Sequence, residues 1–213
     1  MSVSRVFNIG LIDFLKGLEF QQEVFEQVKH GYFSSALILC RHYPVITVGR
    51  SGKRENIKLS ESQLHAQGVA VCQVSRGGDV TYHGPGQLMA YPICNLSFLK
   101  NDIHAFLRML EQVVISLVEE FGIVAERKEG LTGVWVGNKK IASLGIAVSH
   151  WITFHGFALN VTQDDLQNFS FIRPCGMDIK MTSMESELGR KISCDALHEA
   201  MARRFPYDQS YPS

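Results

Sequence analysis

The sequence predicts a mixed α/β fold, α+β in its order of elements, around a largely antiparallel sheet in one domain spanning residues 1–213. Three observations carry this. Helical and strand-like patterns alternate along the chain, which is the order of a layered α/β domain. After residue 130 several β-rich runs follow one another with no helix between them, which calls for hairpins. No Pro-, Gly- or Ser-rich stretch and no charge run marks a linker. With 213 residues, 46% of them hydrophobic, the chain has material for a sizeable core.

Taken in order, residues 13–30 read as an amphipathic helix, with Asp13 as N-cap and Gly31 just past its end. "ALILC" and "VITVG" are short β-rich runs on either side of "RHYP", where Pro44 marks a turn. Ser60 and Gln63 have the spacing of a capping box, and Gly68 closes the short helix that they open. "VAVCQV" follows as a strand. Residues 102–121 give the clearest helix: apolar side chains at 103, 106, 107, 110, 113, 114, 117, 118 and 121 form one face, and Gly122 ends it. "TGVWVG", "KIASLGIAV" and "ITFHGFALNV" are strands, the first two joined by a turn at "GNKK". A helix at about 195–205 comes last.

Charge and cysteine usage narrow the setting. Lys plus Arg equal Asp plus Glu at 21 each. A net-neutral chain argues against a general nucleic-acid or membrane binder. No apolar run reaches the roughly 18–20 residues of a membrane span. "MSVSRVFNIGLIDFLKG" lacks the order of a signal peptide because Asp13 and Lys16 interrupt it, so the chain is expected in the cytoplasm. Cysteines at 40, 72, 94, 175 and 194 have no metal-like spacing and read as free thiols. Cys40, Cys72 and Cys94 end or interrupt apolar runs, as small buried hydrophobes do, and Cys194 opens a helix.

"SRGGDVTYHGPGQLMAYPI", residues 75–93, holds more glycine than a turn needs. We read it as built to bring backbone close to something. Its spacing is not that of a dinucleotide-binding loop, and "GRSGKR" lacks the Ser or Thr and the spacing of a phosphate loop. His83 and His155 each precede a glycine, with no third ligand near either; they are expected to line a pocket or orient backbone, the glycine leaving room for a ligand. In "FIRPCGM", Cys175 lies between Pro174 and Gly176, poor placement for core filling and good placement for an exposed, nucleophilic thiol. Such a thiol needs an activator. Strand alternation puts Lys140 on the apolar side with Ala142, Leu144 and Ile146 while Lys139 falls in the turn. From the residues alone the reading of Lys140 as a solvated strand-end lysine prevails.

"RGGDVTYHGPGQLMAYPI", "LTGVWVGNKKIASLGI", "FHGFALNV" and "PCGM", with "HYPVITVGR" before them, resemble the ordered motifs of the lipoyl(octanoyl) transferase family over residues 36–185. The resemblance implies a fold like the catalytic domain of biotin-protein ligases and lipoate ligases. It implies an acyltransferase that moves an octanoyl group from octanoyl-acyl-carrier protein to a lysine of a lipoyl domain, the first step of endogenous lipoylation. The acceptors it implies are the lipoyl domains of 2-oxoacid dehydrogenase E2 subunits and the glycine cleavage H protein, with no cofactor, metal, nucleic acid or membrane.

By the same resemblance Cys175 is the nucleophile that holds the acyl group as a thioester in a ping-pong cycle, and Lys140 is its partner. Substrate is expected along Arg76, Gly77, Gly78, Asp79, Val80, Thr81, Tyr82 and His83, together with Ser143, Leu144 and Gly145 and with Gly156, Phe157 and Ala158. Arg41, Arg50, Lys53 and Arg54 are candidates for docking an acidic carrier protein. Three other readings stand beside this one. An ATP-dependent lipoate or biotin-protein ligase of the same fold would require ATP. An acyl-binding protein would form no covalent adduct, and a thioesterase would use water as acceptor.

Overall fold

Asp13 starts the first helix by accepting the backbone N–H groups of Leu15 (2.9 Å) and Lys16 (3.2 Å) on its carboxylate, which satisfies donors that a helix N-terminus leaves unpaired. The computed structural model describes residues 3–174 and 177–204. Along these the elements run β1 (Val3–Ile12), α1 (Phe14–Lys29), β2 (Phe33–His42), β3 (Val45–Val48), α2 (Glu61–Ala66), β4 (Ala70–Gln73), β5 (Val80–His83), β6 (Gln87–Cys94) and α3 (Ile103–Glu120). They continue as β7 (Glu126–Lys128), β8 (Leu131–Val136), β9 (Lys139–Ser149), β10 (Ile152–Asn160), β11 (Lys180–Met181), α4 (Met184–Leu188) and α5 (Cys194–Arg203). The Ser60–Gln63 capping box is formed, and Gly31, Gly68 and Gly122 follow their helices with positive φ.

Two sheets result. The larger has the order β1-β2-β6-β10-β9-β8-β7, and β11 pairs with β9 beyond the end of β10. The smaller has the order β4-β3-β5. Pairing is antiparallel except at β1–β2, β9–β11 and β3–β4. β1 has no counterpart in the sequence reading. It is an edge strand whose register slips between Val3 and Arg5 and between Asn8 and Leu11, and these slips break the period of two that would have announced it.

One face of the large sheet packs Leu37, Leu39, Leu88 and Leu159 against α3 and α5. The other packs Ile38, Cys40, Met89 and Ala158 against Val24, Phe25 and Val28 of α1. The small sheet has its own core around Ile46, Tyr82, Leu64 and Phe169. Phe14, Val45 and Val74 join α1 to that sheet. The apolar periodicity of α3 is thereby explained, because its buried stripe is the lid on one sheet face. Cys40 and Cys94 are buried, Cys72 is half-buried, and Cys194 is exposed at the start of α5. Among the described residues no helix is long and apolar enough to cross a membrane.

Candidate active site

The glycine-rich segment runs between the two sheets. A Cβ on Gly49, at the end of β3, would stand 2.2 Å from the Gly78 carbonyl oxygen, and one on Gly145 in β9 would stand 3.0 Å from the Gly77 carbonyl oxygen. Gly77 donates its N–H to the Ile146 carbonyl (2.8 Å), while Gly49 and Arg50 donate to Asp79 and Arg76 carbonyls. Gly78 has φ +82, a conformation that favours glycine. The segment is thus a seam, hydrogen-bonded to the small sheet on one side and the large sheet on the other.

Arg76 is buried and folds back onto β3, its guanidinium donating to the Thr47 carbonyl (2.7 Å), the Thr47 hydroxyl (2.8 Å from Nη2) and the Gly77 carbonyl (3.0 Å). Thr47 Oγ1 also lies 3.3 Å from His83 Nε2, and His83 Nδ1 lies 3.2 Å from Gln87 Oε1. The Gln87 amide nitrogen donates to Tyr82 O and Asn160 Oδ1, so its oxygen faces the ring. Nδ1 therefore carries the proton, and Nε2 accepts from Thr47. Burial, then the charge of Arg76, holds His83 well below the usual histidine range. His155 sits mid-strand at φ +58, with its N–H donated to Gln21 Oε1 (2.9 Å) and Nε2 3.2 Å from Ser75 Oγ. Burial, with Arg76 and Arg50, pushes it down to about 4. Both rings are neutral at neutral pH.

Lys140 reaches the same space by a route that strand alternation does not give. Val134 pairs with Ala142 and the next residue, Trp135, pairs with Lys140, so β9 carries one extra residue, Ile141. Ile141 and Ala142 both join the core under α3. This bulge puts Lys140 on the face opposite Ala142, Leu144 and Ile146, not on their face as expected. Its amino group donates to the Thr132 carbonyl (2.9 Å) and lies 5.5 Å from the Trp135 ring centroid, within cation–π range. Lys139 is in β9 and not in a turn; it pairs with Glu187 of α4.

These groups surround a cavity of about 330 Å³, in the ~300–1,000 Å³ range of small-molecule sites. From the seam and β5 it is bordered by Arg76, Gly78, Asp79, Val80, Thr81 and His83. Ser143, Leu144 and Gly145 border it from β9, and Gly156, Phe157 and Ala158 from β10, with Lys140 between. Two residues expected there are placed differently. Gly77 is held in the seam, and Tyr82 turns into the small-sheet core against Phe169, its hydroxyl donating to Asp165 Oδ1 (3.2 Å). The glycines after the two histidines are explained by protein rather than ligand. A Cβ on Gly156 would meet Ala90 O at 2.1 Å, and one on Gly84 would meet Asp165 and Tyr82 at 2.5 Å.

Cys175 and Gly176 lie outside the described residues, and the residues on either side, Pro174 and Met177, both border the cavity. Sequence reasoning missed Thr47, Gly49, Thr132, Gly133 and Trp135. Gly133 carried a signal, since glycine inside a strand marks a bulge or a close approach. Of the basic docking candidates, Arg50, Lys53 and Arg54 are exposed beside the seam, with Lys53 N–H on Asp79 Oδ1. Arg41 stands apart on β2, near His198 of α5, whose pKa is lowered by burial and then by the Arg41 charge. The apolar remainder of the wall includes Phe14, Met89, Leu131 and Ile179. An aliphatic chain fits such a wall, and Lys140 offers the polar end a proton donor.

Residues 13–206 match the model of the lipoyl protein ligase A/B catalytic domain. The chain is 45% identical over 197 residues to an octanoyltransferase of Solibacter usitatus, covering 92% of this chain and 89% of that protein. It is 42% identical to an octanoyltransferase of Cytophaga hutchinsonii, covering 93% and 89%. Among solved structures, a bi-partite lipoate protein ligase of Thermoplasma acidophilum superimposes with a TM-score of 0.71 at 16% identity, over 96% of this chain and 83% of that one. Biotin protein ligase of Aquifex aeolicus gives 0.52 at 13%, over 96% and 68%. These two likenesses show the mixed α/β fold.

Proposed function

Since this chain belongs to the lipoyl protein ligase A/B catalytic-domain family, we propose that it moves an octanoyl group from octanoyl-acyl-carrier protein to a lipoyl-domain lysine through a thioester on Cys175. The acceptors are lipoyl domains of 2-oxoacid dehydrogenase E2 subunits and the glycine cleavage H protein. One observation carries the reading: the cavity that holds Lys140 is bordered by Pro174 and Met177, the residues on either side of Cys175 and Gly176.

The cycle balances with these groups. Lys140 takes the Cys175 proton, and the ammonium favours the thiolate by charge pairing. The thiolate attacks the donor carbonyl, the new C–S bond forms as the old one breaks, and the departing thiolate takes the proton from Lys140. A lipoyl-domain amine then attacks the Cys175 thioester and passes its proton to neutral Lys140. The amide forms, Cys175 leaves as thiolate, and the ammonium–thiolate pair is restored. His83 and His155 do not carry the proton, because burial keeps both rings neutral and their Nε2 atoms face Thr47 and Ser75.

Intact mass after incubation with octanoyl-acyl-carrier protein tests this. One octanoyl mass on Cys175, discharged by a lipoyl domain without ATP, is expected. A requirement for ATP would mean the ligase reaction, and discharge to water alone would mean a thioesterase.

A further inference from the structure

We infer that Glu111 of α3 is a positioning residue for Lys140, acting through the backbone of β8. The inference rests on the proposed role of Lys140. Glu111 is fully buried on the core side of α3, where an ionised carboxylate persists only if it is paired and hydrogen-bonded. Its Oε2 takes Arg108 Nη1 at 2.7 Å and Arg127 Nε at 3.3 Å. Both arginines are partly exposed, so ion pairing on the outer side would not require the carboxylate to reach further in. It does reach further: Oε1 accepts the backbone N–H of Gly133 at 2.9 Å.

Gly133 is where β8 meets Lys140. Its φ is +138, in the region that favours glycine, and the strand register slips just beyond it. A Cβ there would lie 2.3 Å from Lys140 Cε and 2.9 Å from Nζ. The carbonyl before it, on Thr132, accepts the Lys140 amino group at 2.9 Å. The buried carboxylate thus clamps the peptide whose missing side chain makes room for Lys140 and whose neighbour holds it. Glu111 itself does not line the cavity, so it acts on Lys140 only through this backbone.

The test is the pH dependence of Cys175 alkylation, read by mass in a Cys72→Ala, Cys194→Ala background. Glu111→Leu is expected to shift the midpoint upward, to a value between wild type and Lys140→Ala. Glu111→Gln should restore it, because the amide oxygen can still serve the buried Gly133 N–H while the two arginines turn to water. Gly133→Ala leaves the ion pairs intact and should shift the midpoint as well, which keeps the test open if Glu111→Leu does not fold. Val113→Ala, which loosens the packing of α3 and changes neither Glu111 nor Gly133, should lower the melting temperature and leave the midpoint in place. An unmoved midpoint in folded Glu111→Leu, or in Gly133→Ala, overturns the inference. So does a shift in Glu111→Leu with none in Lys140→Ala, since the carboxylate would then act by another route. Octanoyl adduct formation by the unmodified protein is scored separately, so failure of the acyl-transfer reading is told apart from failure of the clamp.

Discussion

A Cβ on Gly49 would stand 2.2 Å from the carbonyl oxygen of Gly78 and 2.7 Å from Arg76 Nη1. The end of β3 and the glycine-rich segment are therefore in backbone contact, and Arg76 is trapped between the two sheets. Glycine 49 exists for that contact. Gly77, next to Gly78 in the seam, has more room: the nearest neighbour of a Cβ there would be Ile146 O at 3.6 Å.

Gly49→Ala is thus expected to displace the seam, lowering the melting temperature and slowing octanoyl transfer by about tenfold or more, on the order of 1.4 kcal/mol in the barrier. Gly77→Ala should keep transfer within about threefold, since it adds a methyl at ordinary contact distance. Gly78→Val should fail for a backbone reason, φ +82, rather than for lack of space. Transfer rates and thermal melts of the three variants decide; equal behaviour of Gly49→Ala and Gly77→Ala would contradict the seam.

Lys140→Ala should move the alkylation midpoint of Cys175 toward that of an ordinary thiol, each pH unit being about 1.4 kcal/mol of lost thiolate preference. Lys140→Arg keeps a positive charge, so alkylation should be partly preserved while transfer fails, because a guanidinium does not release its proton at working pH. Lys139→Ala should change transfer little, since Lys139 is engaged with Glu187. A profile identical in wild type and Lys140→Ala would remove Lys140 from the cycle.

Acyl-thioester mapping should find Cys175 and no other cysteine. Burial pushes the Cys40 thiol far up and that of Cys94 to about 12, so neither supplies thiolate at neutral pH. Cys72 is half-buried and also raised, by burial and then by Asp13. Cys175→Ser should form no productive intermediate. An adduct located by peptide mass on Cys72 or Cys194 would count against the proposed nucleophile.

Acid should destabilise the fold partly through His155. Its folded pKa, about 4 against an ordinary 6.5, means that the unfolded chain binds the proton first as pH falls. Stability present above pH 6.5 is lost progressively down to about pH 4, on the order of 3 kcal/mol from this ring. His83 adds to the same trend. Melting temperatures from pH 7 to pH 4 should fall less steeply in His155→Gln than in wild type; parallel curves would show that the ring is not the titrating group.

Much of this molecule is written in local chemistry. Asp13, Ser60 and Asp102 cap helices with their own side chains, and the apolar stripe of α3 needs only the period of a helix to be read. The excess of glycine at 75–86 announced close approach before its partner was known. Other features depend on residues far apart in the chain and have no local signature. β1 is a strand only because β2 offers it an edge. Lys140 faces the cavity because Ile141 bulges against β8, which reverses the side that alternation assigns to it. Gly156 is glycine because Ala90 of β6 lies across from it, and the buried Glu111 finds the Gly133 N–H as a partner only across to β8. Periodicity and capping act within a few residues and are legible in one dimension. Register, bulges and the meeting of backbones arise between strands, and they exist only once the sheets have closed on each other.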